Sequence, residues 1–233
     1  MAVLYGLWSV MALTALLAPA WLPGKLPGRH DGIRSGPAAL TPVVRLELAT
    51  LLLWNLGLGA LWAFLDRIGR GMNLEGEIIG LALSLGLAFA VLGSAQAAWM
   101  SDRFGTRWPL WLMMVVHLST FALLAGELPG WWFVATLAVF NYTWNLALPY
   151  LLGSIARADD TGSAAALIPA AQTAGNTLGP ILGGMLAAGG GYTWVLLLPG
   201  VCYALMIAAL LSLRRLQSQE AESGETSATG RTG

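Results

Sequence analysis

The sequence predicts an all-α, polytopic membrane protein with seven transmembrane helices. Three observations carry that prediction. Hydrophobic residues make up 57% of the chain and charged residues 10%, with a mean hydropathy of +0.68, whereas a soluble domain carries about 25% charged residues. Apolar segments of about 20 residues, the length a bilayer requires, follow one another along the chain. Short stretches that hold most of the charges separate them.

The first span covers residues 1–22. No basic stretch precedes its apolar run, so it reads as a span rather than a cleaved signal peptide. Residues 23–44 are rich in Pro and Gly and carry Lys25, Arg29 and Arg34, which reads as a loop. The second span is 45–65 and the third 77–100. Asn73, Glu75 and Glu77 precede the third span, where Asn73 can cap free N–H groups and the acids suit the helix dipole. The fourth span is 108–125. A Leu128-Pro129-Gly130 turn leads to the fifth, 131–152. A polar loop from Arg157 to Gly162 leads to the sixth, 163–188, and three glycines, 189–191, turn the chain into the seventh, 192–213. Residues 214–233 are polar and are expected to be disordered.

Orientation follows from the basic residues. With the Lys25 loop inside, Arg45, Arg103, Arg107, Arg157, Arg214 and Arg215 also face the cytoplasm, and only Arg67 and Arg70 face out. The C-terminus is then cytoplasmic. An odd number of spans puts the N-terminus outside, which suggests that something precedes it. Lys plus Arg, 12, balances Asp plus Glu, 12, so no basic field points to nucleic acid. The single cysteine, Cys202, rules out an internal disulfide or a cysteine metal site. No cofactor or metal is implied.

Ser101-Asp102-Arg103-Phe104-Gly105-Thr106-Arg107 is the tight charged turn between the third and fourth spans. This Asp-Arg-x-Gly-x-Arg string resembles the signature loop of the major facilitator superfamily of secondary transporters. Asp102, Arg103, Gly105 and Arg107 match. Ala98 stands where the family usually has Gly, and Thr106 where it often has Arg or Lys. Gly175, Gly179, Pro180 and Gly183 lie in a stretch similar to the Gly-Pro-rich motif of the family's fifth helix and its echo in the eleventh. The resemblance implies that Asp102, Arg103, Gly105, Arg107 and these four residues act in conformational gating. Asp102 would face the positive N-terminal end of the sixth span, near residues 161–164. A plain packing role for the glycines remains open, because a small-residue stripe lets helices approach closely. The third span carries a similar stripe, Gly86, Ala90, Gly93 and Ala97.

The fifth span lacks the Arg that the family's N-terminal half usually carries in its fourth helix. The chain therefore looks like helices six to twelve of a twelve-helix transporter. Residues 1–22 would be the sixth helix, 23–44 the central cytoplasmic loop, and 45–213 the six-helix C-terminal domain. The family implies secondary transport of a small solute by alternating access, in a bacterial inner membrane. No enzymatic activity is implied.

In such a domain the second, third, fifth and sixth spans of this chain would line the cavity. Buried polar residues in spans are costly and tend to mark function. Asn55, Gly59, Trp62 and Asp66 share one helical face. Asn141 and Asn145 are four apart, with Trp144 and Tyr150 near, and Gln172 and Asn176 are also four apart. Asn55, Trp62, Asn141, Trp144, Asn145, Tyr150, Gln172 and Asn176 are the substrate-binding candidates. Each amide has an alternative role, bonding a neighbouring helix. Trp54, on the opposite side from Gly59, reads as lipid-facing, and His117 as a bridge between helices. Asp66 and Glu47 are the carboxylates available for coupling. With no Arg or Lys among the candidates, the implied substrate is neutral or amphipathic.

Other classes are set aside on composition. A retinal Schiff base needs a lysine within a span, and the one lysine, Lys25, is in a loop. A membrane serine protease needs a nucleophile with a positioned base, and no metal-ligand cluster is visible. The remaining alternative is a free-standing seven-helix protein that dimerises or serves as a scaffold without transport. A missing N-terminal half or a second copy would cover its polar face.

Overall fold

The computed structural model describes residues 40–229, apart from 101–102, 104, 106 and 160–161; at 107, 210 and 213–229 it describes the backbone alone. Residues 1–22 and most of the loop after them therefore lie outside the described residues, as does Asp102. The described chain forms six helices: α1 (Pro42–Gly71), α2 (Gly76–Met100), α3 (Arg107–Leu124), α4 (Gly130–Ala158), α5 (Ser163–Gly190) and α6 (Tyr192–Thr229). Among the described residues, three stretches are long and apolar enough to cross a membrane: α1, α2 and Tyr192–Ala209 of α6. Trp108–Leu124 is apolar but shorter. Helices α4 and α5 have 29 and 28 residues but fall outside that set. Their asparagines, glycines and internal prolines dilute the hydropathy.

Local chemistry explains where the boundaries differ from expectation. Helix α1 begins at Pro42, inside the expected loop. The Thr41 hydroxyl accepts from the Val44 N–H at 3.3 Å, and proline occupies the first helical turn, where its missing N–H costs nothing. Asn73 ends α1 rather than capping α2. It adopts φ 58, the N–H of Leu74 returns to the Gly69 carbonyl at 3.2 Å, and that of Asn73 to Arg70 at 3.0 Å. This is the left-handed closing turn in which asparagine can replace glycine. The polar tail, expected to be disordered, continues α6 as helix to Thr229. From Arg214 to Thr229 the chain holds several Arg, Gln, Glu and Ala residues, good helix formers, with no proline to stop them.

Packing pairs α1 with α5 and α2 with α4. Helix α6 leans on α1, and α3 on α4 and α6. Small residues make both principal pairs close. A Cβ on Gly175 would lie 2.6 Å from the Leu52 carbonyl oxygen, and one on Gly179 would strike the carbonyl of Leu56. A Cβ on Gly93 would strike the carbonyl of Tyr142. Glycine at these positions brings backbone against backbone, the means of helix association that remains in lipid, where burial of apolar surface gains little. The core between the pairs holds Leu51, Leu58, Leu61, Met113, Phe133 and Phe140. Trp54 belongs to it too, fully buried rather than lipid-facing. The outward faces of α2 and α6 are apolar, with Leu87, Val91, Leu197 and Val201 exposed, as a membrane-embedded bundle requires.

Candidate functional site

The predicted polar residues divide into those used inside the bundle and those left available. Asn55, 5% exposed, donates to the Leu51 carbonyl at 2.8 Å and accepts from the Asn176 amide at 3.2 Å. The pair ties α1 to α5 beside the Gly175 crossing. Asn141, 1% exposed, donates to the Leu137 carbonyl at 2.8 Å and stands against Gly86 of α2. Both amides thus return to the turn below them and face a partner helix, the bridging role.

Asn145 donates one N–H to the Asn141 carbonyl at 3.0 Å. Its amide oxygen accepts no hydrogen bond among the described residues. Gln172 is half-buried and makes no hydrogen bond among the described residues. Trp62 of α1 and Trp144 of α4 meet, with ring centroids 6.3 Å apart at 53°. Phe140 extends the cluster, 6.4 Å from Trp144. The indole N–H of Trp62 is buried and has no acceptor among the described residues. Trp62 and Trp144 therefore span the seam between the α1–α5 and α2–α4 pairs. Tyr150 lies elsewhere, packed with Ala97, Met100 and Leu146 between α2 and α4.

The two carboxylates separate sharply. Asp66 is exposed at the end of α1 and paired with Arg70, one turn on, at 2.8 Å. It does not reach the seam. Glu47 near the start of α1 is 7% exposed. Ser154 and Arg157, both on α4, act on it, and its Oε2 has no hydrogen-bond partner among the described residues. Sequence position alone made these two acids look alike. Packing buries one because Glu47 falls on the α4-facing side of its helix.

Of the gating candidates, Gly175, Gly179 and Gly183 are buried in the α1–α5 contact, and Pro180 follows the same line. Gly105 has φ 67, a conformation in which a side chain is strained, so the turn requires glycine there. Arg103 is exposed and its guanidinium carbon stands 5.5 Å from the centre of the Trp99 ring. Arg107 opens α3. The expected target of Asp102 at the start of α5 is already served in part: the N–H of Ala164 donates to the Asp159 carboxylate at 2.5 Å. Sequence reasoning missed Asp159, although an acid just before a helix start is the signal that could have found it.

His117 is fully buried and bridges three helices. Its Nδ1 meets the Tyr203 hydroxyl of α6 and its Nε2 lies 3.2 Å from the Phe140 carbonyl of α4. A carbonyl only accepts, so Nε2 carries a proton, and in the neutral ring Nδ1 accepts from Tyr203. Tyr203 was not singled out by sequence. A tyrosine in an apolar run carries no periodic signal of its partner.

The bundle is thus two close helix pairs joined by an aromatic seam, with a histidine bridge behind it. No curated protein matches the chain. The family model described as Major Facilitator Superfamily matches residues 48–231, which include all of α2 to α6 and most of α1. The chain belongs to the Major Facilitator Superfamily, a family of membrane transporters.

Proposed function

We propose that the chain is the C-terminal part, helices six to twelve, of a secondary transporter that moves a small neutral or amphipathic solute by alternating access. The observation that carries this reading is the seam at Trp62 and Trp144. Two indoles, the amide oxygen of Asn145 and the amide of Gln172, the last two without a hydrogen bond among the described residues, supply aromatic surface and hydrogen-bonding groups but no charge. Such a lining suits an uncharged or amphipathic solute, since an ion would be desolvated there without a counter-charge. Asn55, Asn141, Asn176 and Tyr150 support the wall from behind through interhelical contacts. Glu47, a buried carboxyl beside Ser154 and Arg157, is the group we assign to coupling in preference to Asp66. The Asp102 turn and the glycine crossings act as the gate.

Exposed Thr173, Asn176 and Thr177 on α5 favour a covering partner, the N-terminal half or a second copy. Polar groups left facing lipid would be costly.

The test is energised uptake into membrane vesicles containing the complete transport unit, screened over uncharged and charged solutes. Trp144→Ala should lower uptake of an uncharged solute at least about tenfold, the loss expected when a buried aromatic anchor of about 2 kcal/mol is removed. Asp102→Asn should lower uptake with expression unchanged. Undiminished uptake in both variants would sink the reading.

A further inference from the structure

A groove between the end of α2 and the start of α3 plays no part in the proposed solute path. Gln96, Trp99, Met100 and Trp108 line it, and its volume is about 450 Å³. Two indoles and a thioether make its walls largely apolar. Both indoles are turned outward, Trp99 67% and Trp108 53% exposed. Gln96 is occupied: its amide oxygen accepts from the Tyr142 hydroxyl, and its N–H donates to the Met100 sulfur at 3.4 Å. At the rim stands the guanidinium of Arg103, over the Trp99 ring. Arg103 has no ion pair among the described residues.

Chain order sets the depth of this groove. Helix α2 ends at Met100 and α3 begins at Arg107, so the groove lies where the apolar spans give way to the charged turn. Tryptophan favours that boundary, and the distribution of basic residues puts this turn on the cytoplasmic side. Anionic lipids populate that leaflet, and basic pockets between helix ends there hold lipid headgroups. An apolar cleft with a cation at its mouth that has no ion pair among the described residues matches a molecule that is anionic at one end and hydrocarbon at the other.

We propose that this groove binds one anionic phospholipid, with its phosphate at Arg103 and the start of an acyl chain between Trp99 and Trp108. The groove shares Arg103 with the proposed gate, but its test reads lipid binding and not transport, so either idea can fail without the other.

The experiment is native mass spectrometry of the purified full chain, titrated with phosphatidylglycerol and separately with phosphatidylcholine. The wild type should retain one phosphatidylglycerol about fivefold more tightly than phosphatidylcholine, the gain of one arginine near an anionic headgroup. Arg103→Gln should remove that preference, and Trp99→Ala should weaken both lipids. Both side chains are exposed, and helicity measured by circular dichroism confirms that each variant folds. Arg67→Gln is the control: Arg67 stands over Phe64 at 5.3 Å, away from the residues that line this groove, and its loss should leave the preference unchanged. Equal retention of the two lipids by the wild type would overturn the proposal. So would an equal effect of the Arg67 and Arg103 variants, or displacement of the lipid by inorganic phosphate.

Discussion

At the residue scale, the same residue type serves different ends according to what its helix packs against. Asn55 and Asn141 are buried and spend their amides on the turn below and on a neighbouring helix. Asn145, one turn beyond Asn141, donates to the Asn141 carbonyl, and its amide oxygen accepts no hydrogen bond among the described residues. Glu47 and Asp66 divide likewise, one buried beside Arg157, the other exposed with Arg70. His117 is the most constrained polar residue, held by Tyr203 and Phe140. His117→Phe keeps a ring of similar shape but deletes both hydrogen bonds. Such interhelical bonds are worth about 1–2 kcal/mol at most in a membrane protein, so the variant should unfold at lower denaturant by that amount. Unchanged stability in a detergent-denaturant titration would mean that the bridge is incidental. That a histidine in this span bridges helices was legible from its position in a peripheral span. That Tyr203 is its partner was not, since the two lie far apart in the chain and meet only when α3 packs on α6.

At the scale of elements, the bundle rests on where glycine permits backbone contact. The spacing of Gly175, Gly179 and Gly183 in fours was visible in the chain, and spacing alone announces one shared face. Which helix that face meets was not visible. The close approach of Gly175 and Gly179 to the Leu52 and Leu56 carbonyls identifies α1 as the partner. Gly179→Leu should therefore force α1 and α5 apart, costing about 1–3 kcal/mol as overpacking does. Leucine at Gly80, where a side chain would meet open space, should be tolerated. A thermal-shift comparison of the two variants decides the point, and equal midpoints would count against a close α1–α5 contact. Termini of elements were the least legible feature. Asn73 looked like the start of one helix and closes the one before it, because the left-handed turn that asparagine can adopt depends on where α1 runs out of partners.

At the scale of the whole molecule, a six-helix bundle with an uncharged seam and an exposed polar edge on α5 calls for something opposite it. If the proposed assembly is right, cysteine introduced at Thr177 should cross-link in membranes to an N-terminal half or to a second copy. A species that stays monomeric at every cross-linker length would contradict it. The lipid proposed at the α2–α3 groove belongs to this scale as well, as part of how the bundle meets the bilayer.

By itself the sequence determined that the protein is helical and apolar. It also located the starts of the six described helices to within three residues, and its Asp-Arg-x-Gly-x-Arg turn pointed to the family that residues 48–231 match. Those properties are local: span length follows from bilayer thickness, and the Gly105 turn from the conformation only glycine adopts freely. Tertiary structure alone decided which polar groups remain available. A side chain's availability depends on the helix opposite it, which lies far away in the chain. That is why Trp54 is buried, Glu47 is enclosed, Asp159 meets the Ala164 N–H, and Trp62 faces Trp144 across the seam.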